Sequence, residues 1–131
     1  MNTSGVIFVG EILNLDDALR SHLQWKIRLR TSIIARRADM RASDVRGDDA
    51  CELGRWLYGE GRRSHAGSAP FEELRRTHAA FHRAAADVVA LMEAGRFDDA
   101  AAAIDEQGPY AEATANVRAT ILQLQRALVV S

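Results

Sequence analysis

Three histidines and the chain's single cysteine are the residues best equipped for chemistry. His78 and His82 stand four apart. On a helix that spacing turns both rings to one face, within reach of one ion. His22 and Cys51 lie upstream in separate segments, and His22 falls on an apolar helical stripe. A single buried histidine is more often a satisfied core residue than a ligand, and a lone cysteine can be a small buried hydrophobe. Three imidazoles on apolar stripes change that balance. Each brings a polar ring that must find a partner or cost about 1–3 kcal/mol, and one shared cation satisfies all three. Three nitrogens and one sulfur suit tetrahedral Zn²⁺. Four protein ligands leave no position open for water, which points to a structural or sensory site over a hydrolytic one.

These side chains need helices to carry them. Glycines punctuate the chain at 47, 59, 61, 67, 95 and 108, and Pro70 and Pro109 are the only prolines. No stretch alternates as a strand would. A first helix is expected from Asn14, a good N-cap with Asp17 three residues on, to about Met40. Its apolar stripe reads Leu15, Leu19, His22, Leu29 and Ile33. Arg36, Arg37 and Arg41 near its end suit the helix dipole and read as a solvated face. A short helix opened by Asp48 and Asp49 carries Cys51, Trp56 and Tyr58 and stops at Gly59. Residues 59–69 read as a polar loop in which His65 is solvated, and Trp56 and Tyr58 as core or interface residues. Pro70 suits the first turn of a long helix with the stripe Phe71, Leu74, His78, Phe81/His82, Ala85, Val88/Val89 and Met92, stopped by Gly95. A brief helix from Phe97 to about Glu106 follows. The last runs from about Tyr110 to Val129, with Val117, Ile121, Leu124 and Leu128 on one face. The expected fold is therefore all-α: an antiparallel four-helix bundle with an additional short helix carrying the cysteine. Residues 1–13 form a frayed lead-in and 14–131 the bundle.

Composition narrows the function. The chain has 131 residues, enough for one domain with a real core. Its net charge of −1 steers it neither to nucleic acid nor to an anionic membrane. One cysteine forbids an internal disulfide and fits the cytoplasm, where thiols persist. The apolar run Val6–Val9 is too short for a signal peptide or a membrane span. No phosphate-binding glycine loop, no nucleophile with a paired base and no close carboxylate pair stands out, so no enzyme is expected.

The segment Cys51-x-Leu53-Gly54-x-Trp56-Leu57-Tyr58-Gly59, preceded by His22 with Trp25-Lys26 and followed by Phe71, Leu74 and His78-x-x-Phe81-His82, resembles the chemoreceptor zinc-binding domain family over residues 14–130. The resemblance implies a zinc site formed by His22, Cys51, His78 and His82. It also implies a helical bundle that pairs as a homodimer, and regulation of a bacterial chemotaxis or cyclic-di-GMP output in response to zinc or to an oxidant such as hypochlorous acid. No signalling module is apparent in this sequence, so the output is expected in trans or in a longer parent chain. Ile27, Ile34, Val129 and Val130 fall off the main stripes and supply a pairing surface. Two other readings stay open: a non-haem iron bundle protein that binds oxygen or acts as an oxidase, and a metal-free dimerisation module. Iron sites of that kind usually use several carboxylates and Glu-x-x-His pairs, whereas Arg75 and Ala79 precede His78 and His82 by three.

Overall fold

A computed structural model of the chain describes residues 14–130. The lead-in expected over residues 1–13 lies outside the described residues, as do the side chains of Val129 and Val130. Among the described residues all regular structure is helical: α1 (Leu15–Ala35), α2 (Ala42–Arg46), α3 (Glu52–Tyr58), α4 (Glu60–His65), α5 (Ala69–Glu93), α6 (Phe97–Ala103) and α7 (Pro109–Val130).

Three helices are long, and local chemistry sets their ends. The Asn14 side chain caps α1, its Oδ1 accepting from the Asp17 amide at 3.1 Å. Ser68 does the same for α5 through the Phe71 amide, with Pro70 in the first turn. Gly95, at φ 77°, closes α5, its amide and that of Arg96 donating to the carbonyls of Met92 and Leu91. The end of α1 differs from expectation. It stops at Ala35 and not near Met40, because Arg36 takes the left-handed conformation at φ 53°. Its amide and that of Arg37 donate to the carbonyls of Ile33 and Ser32, and the Ser32 hydroxyl donates to Asp39. Arg36 is held there by Asp98 at 3.6 Å and by the Phe97 ring. The three arginines thus lie beyond the last turn of α1.

The core lies where α5 packs on α7 and on α2, with α1 closing one side against α3, α5, α6 and α7. Phe71, Leu74, Phe81, Val89, Leu53, Leu57, Val117 and Ile121 are fully or almost fully buried, and together with their neighbours provide the dominant apolar burial term. The Thr77 and Thr120 hydroxyls share a hydrogen bond of 2.7 Å, and Phe81 meets Tyr110 further along, so α5 and α7 run in opposite directions. Gln125 donates to Asp16, and Arg30 and Ile33 lie beside Ile104 and Glu106 just before α7, so α1 also runs opposite to α7. Between α1 and α5 the chain returns through three short helices. Two of these, α2 and α4, fall where no helix is expected from the sequence. In α4, Gly61 sits under the Trp56 ring, closer than a Cβ would allow. His65 is a correction: it is half-buried, with its ring 5.9 Å from Trp56 and 6.2 Å from Phe71. The fourth expected helix is short, ending at Ala103. No helix among the described residues is long and apolar enough to cross a membrane.

Candidate metal centre

The long helices deliver three imidazoles to one point. His22 comes from the buried face of α1, and His78 and His82 from successive turns of α5. Cys51 arrives from the return segment. It stands at the N-cap of α3, one position before the helix, and not within it as the sequence suggests. Its backbone is extended there, and its Sγ accepts from the Gly54 amide at 3.3 Å. The ligand atoms of His22, Cys51, His78 and His82 all lie within 4.8 Å of one another. The structure therefore brings together all four residues singled out from the sequence, and leaves His65 apart from them.

The distances test whether an ion fits. A tetrahedral zinc bound at about 2.0–2.1 Å to nitrogen and about 2.3 Å to sulfur has edges of about 3.3 Å between nitrogens and about 3.5 Å between nitrogen and sulfur. His78 Nε2 lies 3.1 Å from both His22 Nε2 and His82 Nε2. Cys51 Sγ lies 3.3, 3.6 and 3.9 Å from the Nε2 atoms of His78, His82 and His22. Ligand orientation agrees. His22 Nδ1 is 2.7 Å from the Ala18 carbonyl and His82 Nδ1 2.8 Å from the Val45 carbonyl. A carbonyl only accepts, so both Nδ1 atoms carry the proton and both Nε2 lone pairs point inward. His78 Nδ1 is buried without a partner. No Asp or Glu belongs to the group, so the donor set is that of zinc and not of a carboxylate-rich iron site. Sequence reasoning names none of the residues that hold the rings. Ala18 and Val45 act through backbone carbonyls, which no residue type announces.

Burial sets the protonation of the metal-free site. His22, His78 and His82 are 2%, 0% and 4% exposed, whereas Cys51 is half-buried and the only member that water reaches readily. Desolvation first, then the neighbouring His82 and His22, lowers the His78 pKa from 6.5 to about 2. Burial also lowers that of His22, against the opposing hydrogen bond to Ala18. The Cys51 thiol is pushed above its ordinary 9.0 by burial, against the Gly54 amide. The sign of the linkage follows. Histidines with lowered folded pKa values stabilise the fold above 6.5, and that stability is lost as pH falls, at about 1.4 kcal/mol per pH unit for each fully shifted ring. Urea denaturation in chelator is expected to show metal-free stability level only between about pH 7.5 and 8, falling by at least that slope below pH 6 and declining again as pH passes 9, where the unfolded Cys51 thiol ionises first. A flat profile down to pH 4 would contradict neutral burial of His78.

The chemoreceptor zinc-binding domain model matches residues 22–89, just over half of the chain and a span that contains all four residues of the cluster. No curated protein matches the chain, and no solved structure does. Zinc is the cofactor that the family match and the donor set jointly identify.

Proposed function

The chain belongs to the chemoreceptor zinc-binding domain family, and on that footing we propose that it is a zinc-responsive regulatory domain whose ligands are His22, Cys51, His78 and His82. The observation that carries this reading is the convergence of three inward-facing Nε2 atoms and the chain's only sulfur at tetrahedral spacing. The family is a zinc-binding signalling family and not a known catalytic one, and the proposed role is regulation without catalysis. Its setting is the bacterial cytoplasm, with no nucleic-acid or membrane partner. Its output is of the chemotaxis or cyclic-di-GMP type, reached in trans or within a longer parent chain. We also read the packing as an antiparallel four-helix bundle with the short Cys51 helix added; α1 and α5 both running opposite to α7 supports this.

Cys51 is the proposed switch. A bound zinc supplies a Lewis-acidic centre that keeps the Cys51 sulfur as thiolate, the form oxidants such as hypochlorous acid attack. His78 and His82 share a 25-residue helix and stay adjacent whatever the site holds. Cys51 caps a helix of only seven residues, a length that is marginal alone. Oxidation of the sulfur withdraws it from the site and leaves the Gly54 amide without its acceptor, so α3 loosens while the long helices persist. Acid acts in the same direction, since imidazole and thiol must shed protons to bind metal. Hydrogen exchange on zinc-loaded and metal-free protein is expected to differ chiefly over residues 48–60. Equal protection there in both forms, or collapse of all helices without metal, would refute the switch.

The domain is proposed to work as a homodimer with two-fold symmetry. Leu23, Ile27 and Ile34 lie on one side of α1, and the two isoleucines are 65% and 75% exposed, more apolar surface than one isolated residue would present. Light scattering at tens of micromolar protein is expected to give twice the 14.4 kDa chain mass; the mass of one chain would refute pairing.

A further inference from the structure

A ligand set this deeply buried needs an entry route. The three imidazoles are closed off by α1 and α5, whose parting would expose fully buried residues such as Leu29 and Phe81. The return segment is the weaker wall. It is tied to the site at both ends: the Val45 carbonyl accepts from His82 at 2.8 Å, and the Cys51 sulfur faces the three Nε2 atoms. Residues 47–50 between those ends form no helix.

The Arg55 guanidinium donates to the Ala50 carbonyl in this stretch, and Asp48 ties it to both ends of α3. Its carbonyl oxygen lies only 2.0 Å from where a Cβ on Gly54 would stand, so its backbone is seated directly on the first turn of α3. Its carboxylate Oδ2 accepts from the Tyr58 hydroxyl at 2.6 Å, at the other end of α3. Both residues are partly exposed, and Tyr58 contributes little to the core at 42% exposure, so the bond can open without disturbing the packed helices. We infer that residues 47–51 are a strap over the metal site, and that the Tyr58–Asp48 hydrogen bond is the latch that positions the Cys51 sulfur and sets how fast metal enters and leaves. Asp48 and Tyr58 are positioning residues, since neither touches the ion site. The inference rests on the zinc reading above.

The test compares wild type, Tyr58→Phe, Asp48→Ala and the double variant, each loaded with zinc and mixed with excess chromogenic pyridylazo chelator. All four are expected to hold one zinc per chain. Each single variant should release it about three- to ten-fold faster, the factor associated with losing one ordinary hydrogen bond, since solvent exposure offsets the extra strength that the charged acceptor gives. The double variant should be no faster than the singles, because both remove the same bond. In metal-free protein, Tyr58→Phe should speed hydrogen exchange over residues 47–54 and leave α5 unchanged. Equal release rates with full zinc content, multiplying effects in the double variant, or unchanged exchange over 47–54 would overturn the latch alone. A wild-type protein that takes up no zinc would overturn the site reading and the gating role with it.

Discussion

Gly54→Ala is expected to destabilise the protein by about 3 kcal/mol and to weaken zinc binding at least tenfold. In an exposed helix the same change would stabilise by about 0.5–1 kcal/mol, because alanine is the better helix former. The sign reverses here because the added Cβ would stand 2.0 Å from the Asp48 carbonyl oxygen, 2.8 Å from its carbon and 3.0 Å from Asp49 Cα. All three are backbone atoms, and they cannot rotate aside as a side-chain tip would. Overpacking of this kind costs about 1–3 kcal/mol or more. Relief must move either the strap or the first turn of α3, and both carry Cys51. The Gly54 amide that donates to the sulfur at 3.3 Å moves as well, and disturbing such a partner typically costs 10–100-fold in metal affinity. Gly47→Ala is the control. Gly47 has φ −70°, and its added Cβ would meet only the Asp49 carboxylate, at 3.3 Å; its effect is expected within about 0.5 kcal/mol. Urea denaturation and zinc competition measure both. A Gly54→Ala protein as stable as wild type would show that the strap does not rest on α3.

Cys51→Ala is expected to lower zinc affinity by about 10²–10³-fold. Structural zinc sites bind with about 10–16 kcal/mol, so one ligand of four represents roughly 2.5–4 kcal/mol, which corresponds to that factor. The substitution also removes the N-cap of α3, because the sulfur accepts the Gly54 amide, and a lost cap costs about 1 kcal/mol. Cys51→Ser separates the two roles. Serine caps well but is a poor soft ligand, so it should lose zinc nearly as alanine does while keeping metal-free stability about 1 kcal/mol above that of the alanine variant. Elemental analysis, competition titration and urea denaturation in chelator read the three quantities. A Cys51→Ala protein with undiminished zinc content and affinity would remove the sulfur from the site.

What the sequence reveals here, and what it hides, follows from which atoms carry the information. The candidate ligands are legible because three are histidines on apolar helical stripes and the fourth is the only cysteine, and the stripe residues Leu29, Phe71, Leu74, Phe81 and Ile121 are indeed buried. The starts of α1 and α5 are legible because Asn14 is a cap residue by type and Pro70 suits a first turn, although the Ser68 cap of α5 emerges only in the structure. The end of α1 is not, because Arg36 adopts a conformation that glycine usually fills. The five residues of α2 lack periodicity long enough to notice, yet Val45 there orients His82 through its carbonyl. Gly54 is conspicuous as part of the cysteine motif, but its reason, the Asp48 backbone lying against it, is a contact that exists only once the chain is folded.

Zinc K-edge X-ray absorption on the purified, zinc-loaded protein tests the central claim most directly. Three imidazole nitrogens and one sulfur should give a four-coordinate first shell with one sulfur at about 2.3 Å and three nitrogens at about 2.0–2.1 Å, since Cys51 is the chain's only cysteine. A first shell of nitrogen and oxygen alone, with no sulfur scatterer, would contradict it.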